Sequence, residues 1–202
     1  MYDYIEVPPI FYELKKLPPF KHAVVAGGYL RDQSLGIKPN DLDIFFPITS
    51  ESSWQENFNK CWPEMEKLGV NFVNHVNIPK GLVVNDKGYA KKPDLKAQYN
   101  LSWHGIDIDL MAMRMNIDWF TSNLLEGFPF TLQQIAFDGK KVITSKDFDH
   151  DLVDKIMRLR FLNSVYDLPR IMDKFNSLKA RYPKMYFETD YILAKRDGDD
   201  WL

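Results

Sequence analysis

Two kinds of hydrophobic spacing run along the chain and predict a mixture of strands and helices. Short apolar runs and strict apolar–polar alternation are typical of strands, whereas apolar residues every three or four positions indicate a helix with one buried face. The segments predicted as strands are 22–26, 41–46, 69–76, 95–103 and 106–113. The segments predicted as helices are 10–14, 29–35, 51–68, 117–125 and 147–184. Pro63 should kink the helix at 51–68, and Pro169 should interrupt the last one.

Turns and loops separate these segments and suggest how the chain is organised. His104-Gly105 predicts a tight turn between two strands. Residues 78–94 combine prolines, glycines and four lysines, which predicts a long mobile loop. Strands and helices followed by a helical end favour an α+β domain over residues 1–146, with an N-terminal arm. Residues 147–202 would form a helical appendix and an acidic tail.

Composition narrows the class of protein. An apolar fraction of 45% and an aromatic fraction of 14% can fill a core, which excludes disorder as the main state. The single cysteine, Cys61, excludes an internal disulfide framework and fits a reducing compartment. The acidic, proline-broken N-terminus does not resemble a signal peptide, and no apolar run reaches the roughly 20 residues of a membrane span. We therefore expect a cytoplasmic protein with no membrane partner. The net charge of −2 gives no global attraction to nucleic acid.

The stretch from Gly27 to Asp43 carries the most specific chemistry. A strand that ends in Gly27-Gly28 and opens a helix exposes backbone N–H groups, and glycine lets the chain approach a phosphate closely. Asp41 and Asp43 stand two residues apart on a strand, so both side chains leave the same face, about 6.6 Å apart. These carboxylates repel each other unless a cation lies between them. Mg²⁺ suits such a place, because it binds carboxylates together with substrate phosphates.

A later predicted strand adds two more acids. Asp107 and Asp109 share one of its faces, and the apolar residues between them share the other. If this strand lies beside that of Asp41, three or four carboxylates converge, which is the composition of a two-metal site for phosphoryl transfer. Taken alone, each feature also has an ordinary interpretation, the glycine pair as a turn and Asp-x-Asp as the solvent face of a strand. Their joint order along the chain favours the metal site.

Residues 24–46 resemble the head domain of the poly(A) polymerase and CCA-adding enzyme family, within the DNA-polymerase-β-like nucleotidyltransferase superfamily. That family shows Gly-Gly-x-x-Arg-Asp, a short helix and then Asp-x-Asp. The matching residues in this chain are Gly27, Gly28, Arg31, Asp32, Asp41 and Asp43. Residues 109–114 are similar to the family's acidic strand, and residues 130–138 to its Phe-Thr-Ile-Asn-Ala-Leu-Ala-Tyr segment. The resemblance covers about residues 22–145 and implies a nucleotidyltransferase-like mixed β-sheet flanked by helices.

The resemblance also implies an activity, a cofactor and a set of site residues. The activity is metal-dependent transfer of a nucleoside monophosphate from an NTP to a hydroxyl acceptor, such as an RNA 3′ end, with Mg²⁺ as cofactor. Asp41, Asp43 and Asp109 would be the catalytic metal ligands. Asp107 is a further candidate ligand from the residue pattern, because it shares the strand face of Asp109. The nucleotide-binding candidates are Gly27, Gly28, Arg31, Asp32, Arg114 and Gln133.

The chain departs from the family at positions that bear on function. The family's Arg-Arg-Asp is replaced by Gly127-Phe128-Pro129, and its asparagine by Gln133. The neck motif Glu-Asp-x-x-Arg, which reads the base, corresponds at best to residues 150–154, where Asp154 cannot donate to a base edge. The matching residues support nucleotidyl-transfer chemistry, whereas these departures mean that CCA addition is not supported. Two alternatives stay open: a non-catalytic nucleotide- or RNA-binding module that kept the fold, and a transferase that modifies a protein or small-molecule hydroxyl.

Basic residues near the C-terminal end suggest a second interaction. Eight of them stand against four aspartates between residues 151 and 185: Lys155, Arg158, Arg160, Arg170, Lys174, Lys179, Arg181 and Lys184. We favour a solvated helix face for this segment, because charge pairs four residues apart are common on helices. The alternative is an electrostatic binding surface for an RNA backbone.

Overall fold

The computed structural model describes residues 5–48, 54–77, 94–159 and 168–188. The helices in this part of the chain are α1 (Pro9–Lys16), α2 (Gly28–Ser34), α3 (Trp54–Lys67), α4 (Phe120–Glu126), α5 (Phe148–Asp154) and α6 (Leu168–Arg181). The strands are β1 (Val24–Ala26), β2 (Asp41–Pro47), β3 (Asn71–Asn77), β4 (Leu95–Trp103), β5 (Ile106–Met113), β6 (Ile135–Phe137), β7 (Val142–Thr144), β8 (Ile156–Arg158) and β9 (Tyr186–Glu188). Short 3₁₀ helices lie at Pro18–Phe20, Ile117–Trp119 and Thr131–Gln133.

Seven of the described strands form one mixed sheet in the order β3-β4-β5-β2-β1-β6-β7. β2 and β5 run parallel at its centre, and every other neighbouring pair in this sheet is antiparallel. The α+β class with a mixed sheet and flanking helices is therefore confirmed. The parallel pair matters most for function, because it carries the acids that the sequence singled out.

The faces of β2 separate two apolar clusters. Ile44 belongs to the larger cluster, whereas Phe45 belongs to the smaller one together with Met111 of β5. Because side chains alternate along a strand, Asp41 and Asp43 share the face of Phe45. The acids therefore lie at the beginning of β2, on the side of the smaller cluster.

Most of the predicted elements are confirmed. The turn between β4 and β5 has positive φ at both His104 (47°) and Gly105 (81°), which fits the tight hairpin expected there. α3 continues through Pro63 to Lys67. Residues 78–93 of the predicted loop lie outside the described residues. Among the described residues, no helix has the length and apolar character needed to cross a membrane.

The helical segment predicted over residues 147–184 is wrong at Ile156–Arg158, which form a strand. α5 ends at Asp154, where Lys155 turns the backbone to a left-handed φ of 55°, and the chain then forms β8, which pairs in parallel with β9. Met157 of β8 is fully buried, so tertiary packing overrides the helical spacing of this segment. Pro169 is the second residue of α6, where a proline is tolerated because the first-turn N–H groups have no intrahelical acceptor. The residues before it, 160–167, lie outside the described part of the chain, so the predicted interruption stays a prediction.

α6 packs into the same core as the sheet. Its residues Ile171, Phe175 and Leu178 belong to the larger apolar cluster. Phe175 also meets Phe187 of β9 edge to face, with ring centroids 5.0 Å apart. This packing fixes α6 beside the beginning of β2, where it can contribute side chains to the candidate site.

Candidate active site

The parallel pairing of β2 with β5 brings three of the predicted acids together. Asp43 lies opposite Asp109, and Asp41 lies opposite Asp107. Asp41, Asp43 and Asp109 each offer one carboxylate oxygen, and these oxygens lie within 4.8 Å of one another. We call these three residues the acid cluster. Asp43 is buried, Asp109 is half-buried and Asp41 is exposed, whereas Asp107 is exposed and lies outside the cluster.

The glycine turn lies directly beside the acid cluster. Gly27 has a φ of 80°, a left-handed conformation that favours glycine, and its N–H donates to the carbonyl oxygen of Ile135 at 3.0 Å. A Cβ atom on Gly27 would lie 3.3 Å from the Phe128 ring, and one on Gly28 would lie 3.8 Å from Asp43 Oδ2. Side chains at these positions would fill the space beside the acids, so the two glycines keep it open.

Asp32 ties α2 to α6. Its buried carboxylate accepts hydrogen bonds from Arg31 (Nη2 to Oδ1, 2.7 Å), from Arg181 and from the hydroxyl of Tyr182. Arg181 also donates to the carbonyl oxygen of Lys38 at 3.0 Å. Burial raises the pKa of Tyr182 to about 12, so its hydroxyl keeps its proton and remains a donor. We call the contacts of Asp32 with Arg31, Arg181 and Tyr182 the Asp32 latch.

Arg31 retains donor capacity beyond this latch. Arg31 is only 4% exposed, and its Nη1 is buried without a hydrogen-bond partner among the described residues. The same side chain lines the cleft that contains Asp41 and Asp43. An anionic group that enters the cleft would therefore meet a guanidinium with an unused donor.

A cleft of about 490 Å³ separates the beginning of β2 from α6. Gly28, Asp41 and Asp43 line one side of it, and the residues of α6 that line the other are Ile171, Asp173, Lys174, Ser177, Leu178 and Arg181. α5, which carries the segment compared with the family's neck motif, does not contribute to this lining. The helix that covers the acids is thus α6.

Lys174 places a positive charge near the acid cluster. The residue is exposed overall, but the surroundings of its ammonium group remove water, and this desolvation lowers the pKa of Lys174. Arg31 lowers that pKa further, whereas Asp43, Asp41 and Asp32 raise it by attraction. The acids therefore have a protein cation among their neighbours, which the sequence interpretation did not include.

Of two predicted nucleotide-binding residues, Gln133 lies at the cleft and Arg114 lies away from it. Gln133 is buried and lines the cleft, and its Oε1 has no hydrogen-bond partner among the described residues. Arg114 is not brought to the acid cluster. It follows Asp109 by five residues, about 16 Å along a strand, and lines a separate depression beside Ile48.

In the described part of the basic C-terminal segment, two arginines form ion pairs within the protein. Arg158 pairs with Asp151 and with Glu188, and Arg181 pairs with Asp32. These arginines therefore hold elements together. Within the described part of the basic segment, Lys155, Lys179 and Lys184 are exposed, in keeping with a solvated face.

Phe128 stands where the family that the sequence resembles has a charged Arg-Arg-Asp segment. It is 7% exposed and packs edge to face on Phe45, with ring centroids 5.8 Å apart. Phe45, Phe128 and Pro129 all line the cleft. One wall of the cleft is therefore apolar where the family carries charge.

Two amides of β4 that the sequence interpretation did not single out bind Asp109. Asn100 Nδ2 donates to Asp109 Oδ1, and Gln98 Nε2 donates to Asp109 Oδ2 at 3.2 Å. The sequence signal for these residues was slight: they are two of the four polar positions that alternate with apolar ones along β4, and nothing local distinguishes them from the other two. Lys174 had a clearer signal, since it lies in the basic segment, but that segment suggested RNA and not the acid cluster.

The donor set of the acid cluster fits a divalent cation that prefers oxygen. Three carboxylates converge there, and the Asp109 carboxylate is held by neutral amides that do not cancel its charge. Oxygen-only donors suit Mg²⁺ or Mn²⁺, whereas zinc sites generally add nitrogen or sulfur ligands. Asp41, Asp43 and Asp109 are the residues that would hold such an ion.

The sheet order and the helix that opens at the glycine turn define a nucleotidyltransferase fold. The chain is similar to a CCA-adding enzyme in its apo form I, with 22% identity and a TM-score of 0.62, over 94% of this chain and 42% of that one. It is also similar to a CCA-adding enzyme in complex with ATP, with 23% identity and a TM-score of 0.60, over 94% and 43% of the two chains. For the Thermotoga maritima CCA-adding enzyme complexed with tRNA, the identity is 22%, the TM-score 0.57 and the coverage 96% and 43%.

These similarities confirm the resemblance to a nucleotidyltransferase head domain at the level of the fold. The chain spans less than half the length of the structures that it matches. Comparisons with protein-family models and with curated proteins give no match.

Proposed function

We propose that the chain is a metal-dependent nucleotidyltransferase that moves a nucleoside monophosphate from an NTP to a hydroxyl, with an RNA 3′ end as acceptor. In this reaction the acceptor oxygen bonds to the α-phosphorus, the bond to the bridging oxygen breaks, and pyrophosphate leaves. The convergence of Asp41, Asp43 and Asp109 beside the Gly27-Gly28 turn is the observation that carries the proposal. CCA-adding enzymes of the same fold have been solved in complex with CTP, ATP and tRNA, which supports an NTP substrate and an RNA acceptor.

The residues around the cleft form two groups, one that would bind the metal and one that would bind the phosphates. Asp41, Asp43 and Asp109 would hold Mg²⁺, which when bound supplies charge neutralisation for the triphosphate and lowers the pKa of the acceptor hydroxyl. The backbone N–H groups that begin α2 are donors for phosphate oxygens. Arg31, with its unused Nη1, and Lys174 both line the cleft and add positive charge to it.

One observation favours a second candidate, a non-catalytic nucleotide- or RNA-binding module. Phe128 makes the cleft wall apolar where the related family has Arg-Arg-Asp, so a group that the family retains is absent at this position. A pure binding module, however, gains nothing from three carboxylates held within 4.8 Å. We therefore place catalysis first.

Labelled nucleotides test the proposal. The purified chain is incubated with each α-labelled NTP, Mg²⁺ and total RNA, and we expect label in RNA that disappears with EDTA and in Asp43→Asn. Glu64→Gln is the matched control, because Glu64 lies on α3 in an exposed pair with Lys67. Label in a protein or a small molecule instead of RNA would reassign the acceptor. No label from any NTP would contradict catalysis and favour the binding module.

A further inference from the structure

The carboxylate of Asp109 is held on both oxygens by side chains of the neighbouring strand. Asn100 donates to Oδ1 and Gln98 donates to Oδ2. The sheet register explains this contact: Asn100 lies opposite Asp109 on one side, and Asp43 lies opposite it on the other. Gln98 stands two residues from Asn100 and thus on the same face of β4. One row of side chains therefore runs from the amides through Asp109 to Asp43.

The chemistry of these donors differs from that around the other buried acids. Asp32 and Asp151 are paired with arginines, which cancel the carboxylate charge. Asn100 and Gln98 are neutral, so their hydrogen bonds orient Asp109 without cancelling its negative charge. Each carboxylate oxygen has two acceptor positions, so an oxygen that accepts a hydrogen bond from an amide can also bind a metal.

We propose that Gln98 and Asn100 are positioning residues that hold Asp109 in the orientation needed to bind a divalent cation with Asp41 and Asp43. The inference rests on the proposed function, since it assigns these amides to the same metal site. Gln98 is 5% exposed, so its amide has little access to water and is fixed by its bond to Asp109. Partners that orient metal ligands in this way commonly change metal affinity by about 10–100-fold when they are removed.

Direct titration with Mn²⁺ alone tests the inference without relying on activity. Isothermal titration calorimetry compares the wild type with Asn100→Ala and Gln98→Met, and we expect Mn²⁺ to bind each variant at least about tenfold more weakly. Ser102→Ala is the matched control, because Ser102 shares the strand face of Asn100 but lies opposite Asp107. We expect its Mn²⁺ affinity to stay within about twofold of the wild type.

Stability measured in EDTA separates positioning from a purely structural role. If the amides only stabilise the sheet, the variants unfold more easily while the folded protein binds Mn²⁺ as the wild type does, and the inference is overturned. Asn100 is half-buried, so Asn100→Ala carries the test if Gln98→Met does not fold. Unchanged Mn²⁺ affinity in Asn100→Ala would overturn the inference but not the proposed function. A wild type that shows no Mn²⁺ binding sensitive to Asp43→Asn would contradict both.

Discussion

Asp32 lines the same cleft as Asp41 and Asp43 of the acid cluster, but the hydrogen-bond donors to Asp32 differ from those to Asp109 of the cluster. Asp32 accepts hydrogen bonds from two arginines and a tyrosine, so its charge is used to join α2 to α6. In the acid cluster, Asp109 is held by neutral amides and Asp43 lies beside a glycine turn. The comparison teaches that the donors around a buried carboxylate, more than its burial, separate a structural acid from one that can take a cation.

Asp151 belongs to the same structural class as Asp32. It is fully buried and pairs with Arg158, which in turn pairs with Glu188 of β9. This pairing joins α5 to the small β8–β9 sheet. Substituting Asp32 or Asp151 and measuring stability therefore allows a comparison with substitutions in the acid cluster.

Breaking the Asp32 latch should have the largest effect on stability. Asp32→Asn removes the counter-charge of Arg31, whose side chain is 5% exposed, and we expect a loss of about 3–5 kcal/mol in the free energy of unfolding. Asp41→Asn, at an exposed acid of the cluster, should change stability by less than about 1 kcal/mol. Urea unfolding of both variants gives the comparison. Equal losses of stability in the two variants would contradict the distinction between the structural acid Asp32 and the acid cluster.

Lys174 should affect substrate binding more than folding. Lys174→Met removes a cation from the cleft, and we expect KM for the NTP to rise about tenfold with a smaller change in kcat, the cost of one charge-assisted contact. Lys179→Met is the control, since Lys179 lies on the same helix, is exposed and does not line the cleft. Steady-state kinetics on both variants would refute this role if their KM values rise equally.

Because Asp151 is buried, the free energy of unfolding should depend on pH. Desolvation raises the pKa of Asp151 above its usual 3.8, against the opposing effects of Thr131 and Arg158. The folded state therefore keeps this proton to higher pH than the unfolded state does, and the contribution of Asp151 to stability falls as pH rises from 3.8 through the raised pKa. Relative to Asp151→Asn, the wild type should lose stability in this window, by less than about 1.4 kcal/mol per pH unit. Urea midpoints between pH 3.5 and 6 measure the slope, and a rise instead of a fall would show that the Arg158 pairing dominates.

The sequence predicted the central sheet and the acids well, because both depend on local pattern and on one inferred pairing. Alternation placed β2 and β5, and the assumption that they are neighbours sufficed to bring Asp41, Asp43 and Asp109 together. The turn at His104-Gly105 followed from residue type alone.

What the sequence could not predict depends on contacts between distant segments. β8 forms because Met157 is buried and β9 pairs with it about thirty residues later, which no local pattern reveals. Lys174 reaches the cleft because the Asp32 latch and the apolar face of α6 dock that helix beside β2. Its charge suggested RNA binding, whereas its position assigns it to the cleft that holds the acids.

A melting experiment on the wild type and Asp43→Asn tests the account most directly. Without ligand the two proteins should differ by less than about 1 kcal/mol, because the variant loses both the repulsion within the acid cluster and the attraction to Lys174. With Mg²⁺ and an NTP at about 100 times the dissociation constant, the wild type should melt about 5–10 °C higher by mass action. Asp43→Asn should gain no such shift, whereas an equal shift in both proteins would show that the acid cluster does not bind the metal and its nucleotide.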